Sequence, residues 1–98
     1  KEKLVPDHYA LAQNYPNPFN PITQIKYSIP KGGVVELVVY DVLGREVRHL
    51  INTKLQAGNH TAVWDGKNHF GEHVGTGMYF YRLKAGNFLK TRKMILLK

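Results

Sequence analysis

The residues best able to do chemistry in this chain are five histidines, His8, His49, His60, His69 and His73. His69 and His73 lie four apart, a spacing that converges two imidazoles on a metal when the segment is a helix. Here they sit in DGKNHFGEHVGTG, residues 65–77, which holds four glycines and no helical period. The same segment offers Asp65, Asn68 and Glu72 as oxygen donors. Calcium loops need acids or amides at alternate positions before a glycine, and Lys67 and His69 occupy those positions. Asp65-Gly66 reads instead as turn chemistry, a carboxylate bonding nearby backbone amides. Ser28 is the lone serine, with no glycine elbow around it and no histidine near it. Glu46 and Glu72 have nothing to position them as a carboxylate pair. Asn59-His60-Thr61 fits the glycosylation acceptor triplet, a short and common match. No catalytic residue, metal ligand set or cofactor is therefore assigned, and the chain does not read as an enzyme.

Cysteine is absent, which excludes disulfides, thiol catalysis and cysteine-ligated zinc. At 98 residues the chain has room for one domain, burying about 65% of its unfolded surface by area scaling. Apolar residues at 43% and charged residues at 21% exclude wholesale disorder. No apolar run approaches the roughly 18–20 residues of a membrane helix. The opening residues hold no signal-peptide apolar region, so no export signal is expected within them. Charge is lopsided: residues 1–49 are net +1 and residues 50–98 net +6. From Arg82 onward there are six basic residues and no acid. That pattern suits either an anionic partner or an edge strand guarded against aggregation.

Stepping along the chain, residues 1–10 read as a polar linker and residues 11–98 as the domain. LAQNYPNPFNP (11–21) holds Pro16, Pro18 and Pro21 among three asparagines. Proline fixes φ and lacks a backbone donor, so this is an ordered loop rather than a helix or central strand. Tyr15 and Phe19 are its expected aromatic anchors. Strands follow at 22–29, 34–41, 46–51, 60–64, 78–85 and 88–98, each with period-2 alternation or β-branched content. Inward faces are Ile25, Tyr27 and Ile29; Val35, Leu37 and Val39; Ala62 and Trp64; and Tyr79, Tyr81, Leu83 and Ala85. Val47 is the core candidate of the third strand, and Gly44 supplies a positive φ in the hairpin turn before it. The last strand has two faces, Leu89, Ile95 and Leu97 or Phe88, Met94 and Leu96. A bulge near Thr91–Lys93 would reconcile them, with Ile95 and Leu97 closing the core. Phe80 and Tyr40 are candidates for an exposed aromatic platform, although sandwich packing favours burial over nucleic-acid stacking. The expected architecture is all-β, an immunoglobulin-like antiparallel β-sandwich of about seven strands.

Several unusual strings recur in order: Asn14-Tyr15-Pro16-Asn17-Pro18-Phe19-Asn20, Tyr40-Asp41-x-x-Gly44-Arg45, Trp64-Asp65-Gly66, Gly77-x-Tyr79-x-Tyr81-Arg82-Leu83, and Lys93-Met94 followed by apolar residues and lysine. Over about residues 4–98 the chain closely resembles the type A C-terminal sorting domain of the type IX secretion system. That family is related to the immunoglobulin-like domain of flagellar hook-capping proteins. His69 and His73 are atypical of it.

The resemblance implies a non-catalytic module that follows a cargo domain and directs it across the outer membrane. The cargo would cross the periplasm in transit and end on the cell surface or outside the cell. Implied partners are the outer-membrane secretion machinery, a sortase-like protease and an anionic lipopolysaccharide, with no nucleic acid. Carried over by position, the recognition element is Lys93, Met94, Ile95, Leu96, Leu97 and Lys98, supported by Gly77 and Tyr79. A terminal strand could be read by β-addition, with Lys93 and Lys98 flanking an apolar grip. The rival class is a structural or carbohydrate-binding immunoglobulin-like module of a surface protein.

Overall fold

A computed structural model describes residues 5–98, and every element in it is a strand. In chain order they are β1 (Ala10–Leu11), β2 (Thr23–Ile29), β3 (Gly33–Tyr40), β4 (Glu46–Leu55), β5 (Gly58–Trp64), β6 (Gly77–Ala85) and β7 (Phe88–Leu96). They form two antiparallel sheets, ordered β1-β2-β5 and β4-β3-β6-β7. This is the expected immunoglobulin-like sandwich, and its layers follow directly from alternation. Ile25, Tyr27 and Ile29 turn inward from one sheet. Val35, Leu37, Val39, Tyr81 and Leu83 turn inward from the other. Trp64 lies fully buried between them, tilted against Phe19 at 5.7 Å and edge-on to Tyr79 at 5.4 Å between ring centroids. Such aromatic geometries add to the burial itself.

Turn chemistry places the strand ends. Asp41 accepts the amides of Leu43 and Arg45 and pairs with the Arg45 guanidinium at 2.8 Å. These hydrogen bonds, led by the Arg45 amide, hold its carboxyl below the usual range. Gly44 takes φ 82°, as the hairpin requires. Gly66 has the stricter demand. It is buried at φ +75°, and a side chain there would meet the Pro21 carbonyl at 3.2 Å. Beside it Asp65 accepts the Lys67 amide, the turn role expected of Asp65-Gly66.

Three expectations are corrected. First, Tyr15 is not an anchor: it is 79% exposed, and only Phe19 is buried. Second, β7 has no bulge. It pairs with β6 without interruption from Ala85↔Phe88 to Gly77↔Leu96, and the register shifts fall in the β3–β4 pair instead. Third, the face of β7 is the reverse of that expected. Met94 and Leu96 are fully buried, while Ile95 and Leu97 point outward. The inward parity also contains Lys90 and Arg92, which disguised it. β7 runs along the rim of the sandwich, where Arg92 can reach across and donate from Nε to the Leu11 carbonyl at 2.6 Å. A long side chain can thus occupy a core parity while keeping its charge at the surface.

Phe19→Ala should therefore destabilise the domain by about 3–5 kcal/mol, whereas Tyr15→Ala should stay within about 0.5 kcal/mol. Urea denaturation of the two variants checks this.

Candidate functional site

The residues assigned from sequence to recognition converge at one corner. Gly77 lies opposite Leu96 and Tyr79 opposite Met94 in the β6–β7 ladder. Tyr79 donates its hydroxyl to the Gly75 carbonyl at 2.7 Å, fixing the turn before β6. Lys93, Ile95, Leu97 and Lys98 are exposed, whereas Met94 and Leu96 belong to the core. Residues 93–97 therefore split by parity into a structural pair, Met94 and Leu96, and an outward set, while Lys98 lies exposed beyond the end of β7.

β7 is an edge strand, yet its terminal half has no free edge. The Phe19 amide donates to the Ile95 carbonyl at 3.0 Å, and the Leu97 amide donates to the Phe19 carbonyl at 2.9 Å. Asn17 Oδ1 accepts the Ile95 amide at 3.0 Å, and Gln13 Nε2 donates to the Lys93 carbonyl at 2.8 Å. The Asn-Pro-rich segment thus plays the part of a neighbouring strand for residues 93–97. Proline-rich chain suits this role poorly through its backbone, so side chains supply the bonds that its prolines lack.

What holds the segment there is a buried polar knot. Tyr81, fully buried on β6, donates its hydroxyl to the Ala12 carbonyl at 2.7 Å and accepts the Asn14 amide at 2.8 Å. Asn14 is itself buried, and its Nδ2 donates to Thr23 Oγ1 and to the Pro16 carbonyl. Thr23 Oγ1 donates to the same Pro16 carbonyl at 2.9 Å. Among the described residues no buried side-chain polar atom lacks a partner. Gln13 and the Tyr81 hydroxyl had no role assigned from sequence, and Asn14 and Asn17 stood in the recurring Asn-Pro string without their distant partners being legible. The density of asparagine around the prolines was the available signal, since such side chains exist to bond backbone.

The remaining candidates disperse. His49 contacts Glu46 at 2.8 Å and lies tilted against His69 at 5.7 Å between centroids. His60 stacks on Tyr27 and bonds the Gln56 carbonyl. Among the described residues no three potential ligands gather to hold a metal. Asn68 and Glu72 close a small turn on each other. The aromatic platform is not an open one: Tyr40 and Phe80 are half-buried, and the Arg82 guanidinium lies 5.1 Å over the Tyr40 ring.

A family profile described as the secretion system C-terminal sorting domain matches residues 13–97. The chain belongs to that family. The sorting domain's match begins at Gln13, the first residue of the segment that covers β7. No curated sequence matched the chain. Among solved structures it resembles dimeric latent PorU from Porphyromonas gingivalis, with TM-score 0.73 and 21% identity over 99% of this chain and 10% of that one. It also resembles FlgD from P. aeruginosa, with TM-score 0.59 and 21% identity over 97% of this chain and 74% of that one. A third likeness is to PorZ of Porphyromonas gingivalis, described as an essential surface component of the type IX secretion system. There the TM-score is 0.55 at 18% identity, over 94% of this chain and 12% of that one. These likenesses show a shared fold, and the sorting domain spans only about a tenth of PorU and PorZ. Family membership implies an exported protein of the cell surface or extracellular space.

The knot and the buried phenols can each be tested. Tyr81→Phe keeps the ring but leaves the Ala12 carbonyl and the Asn14 amide without their partner, and should cost about 1–3 kcal/mol by urea denaturation. Burial also raises the phenol pKa of Tyr27, Tyr79 and Tyr81 above the ordinary 10.0. The Asp41 charge adds to the rise at Tyr79, while the Asn14 amide and Arg92 oppose it at Tyr81. Above about pH 10 these phenols ionise in the unfolded chain before they do so in the folded one. Stability should hold level below that pH and fall as pH rises through the raised folded values. Urea midpoints across the alkaline range, with phenolate absorbance as a second probe, measure this.

Proposed function

We propose that this domain is a non-catalytic address label for type IX secretion, directing a cargo domain attached ahead of it across the outer membrane. The observation that carries the reading is the family match over residues 13–97, which spans both the covering segment and the strand it covers. The physics of the fold suits such a task. A label joined to varied cargo must fold by itself, and this one encloses a core built around Trp64, Phe19 and Tyr81. In this reading the cargo passes through the periplasm before the outer-membrane machinery engages the label. A sortase-like protease and an anionic lipopolysaccharide are the later partners that the same reading brings. Lys93, Ile95, Leu97 and Lys98 form the contact surface, and Met94, Leu96, Gly77 and Tyr79 hold that surface in place.

Removing residues 93–98 would be a poor test, because it takes Met94 and Leu96 out of the core. Each such loss alone costs about 2–5 kcal/mol. Transfer of the whole domain is the cleaner experiment. A periplasm-directed reporter fused ahead of residues 1–98, expressed in a host with type IX machinery, should appear outside the cell well above the level of the unfused reporter. The signal should vanish in a host lacking the machinery. A fusion that stays in the periplasm of the competent host would refute the reading.

A further inference from the structure

The terminal half of β7 presents a partner with side chains but not with backbone. Strand addition needs a row of unpaired amides and carbonyls. On the side of β7 away from β6, the Lys93 carbonyl, the Ile95 amide and carbonyl, and the Leu97 amide are already bonded to Gln13, Asn17 and Phe19. A strand-adding partner would have to displace this cover. Phe19, which is 2% exposed and packed on Trp64, would then leave the core.

The outward face beside that edge is open. Met78 and Ile95 are cross-strand partners, and they are 39% and 38% exposed. Leu97, 47% exposed, continues the patch one step beyond Ile95. Cross-strand neighbours of this kind stand within contact distance on one sheet face. Lys93 and Lys98 bracket the patch, and no acidic residue follows Glu72 in the chain. An apolar spot with cationic ends is complementary to an apolar cleft rimmed by carboxylates.

We infer that the Gln13–Phe19 segment is a permanent mask over the edge of β7, and that the secretion machinery reads Met78, Ile95 and Leu97, with Lys93 and Lys98, through an apolar, acid-rimmed cleft while the mask stays closed. This rests on the sorting reading above and specifies how the label is read.

The reporter fusion separates the two. Ile95→Glu and Leu97→Glu change outward side chains, so the folded state should persist, as thermal melting will verify. Export should drop at least about tenfold for each variant. Lys93→Glu should weaken it in the same direction. Val63→Glu, an equal charge change at a 54% exposed position on the opposite sheet, should leave export unchanged. Asn17→Ala removes the acceptor for the Ile95 amide. It should speed hydrogen exchange there without raising export. Wild-type export by folded Ile95→Glu and Leu97→Glu variants would overturn the inference and leave the sorting reading standing. A gain in export from Asn17→Ala would overturn it too, because it would mean that an uncovered edge is what the machinery binds. Retention of the wild-type fusion itself would overturn both.

Discussion

Tyr81 brings together three parts of the molecule at one buried point: the four-stranded sheet, the chain leaving the short strand β1, and the proline-rich segment. Its hydroxyl serves the Ala12 carbonyl and the Asn14 amide at once, in a site with no access to water. A buried polar group without a partner is costly, and the knot of Tyr81, Asn14, Thr23 and the Pro16 carbonyl leaves none. With the segment tied there, Phe19 can reach the core beside Trp64. Once Phe19 is seated, its own amide and carbonyl fall opposite Ile95 and Leu97. The cover on β7 is thus a consequence of the knot, several residues upstream.

This arrangement answers a general hazard of β-proteins. An edge strand with free amides and carbonyls invites pairing with other chains. β7 is protected in two ways. Its terminal half is sealed by Gln13, Asn17 and Phe19. Its first half carries Lys90 and Arg92, charges of the kind that discourage sheet-to-sheet contact. The basic tail is therefore explained at least partly by edge protection, and Arg92 does more, bridging to the Leu11 carbonyl where the other sheet has only two residues of strand. Parity then divides the labour within a single strand. Met94 and Leu96 complete the core, while Ile95 and Leu97 stay available to solvent.

Several of the polar side chains that first suggest catalysis have ordinary structural tasks. Asp41, Asp65 and Asn68 organise turns, His60 stacks on Tyr27, and His49 pairs with Glu46. The surface that remains is a set of outward side chains on a closed sandwich, which suits recognition of the folded unit by another protein. A domain that folds as a unit needs a self-contained core, and the packing around Trp64, Phe19 and Tyr81 supplies one.

Local pattern was enough to establish the sandwich, the inward faces of β2, β3, β5 and β6, the Gly44 hairpin and the Asp65-Gly66 turn. In each case one face is apolar or one residue has a strong conformational preference, and those are properties of neighbouring residues alone. The motif strings were likewise legible along the chain. The sequence could not decide the inward face of β7, because Lys90 and Arg92 share parity with Met94 and Leu96. Only the position of that strand on the rim shows how a long cation fits there. Nor could it rank Tyr15 against Phe19, two aromatics in one loop, or reveal that Asn17 and Phe19 complete a strand some seventy-eight residues away. Those outcomes depend on which distant groups need hydrogen-bond partners once the sheets have packed, and that need arises only in three dimensions.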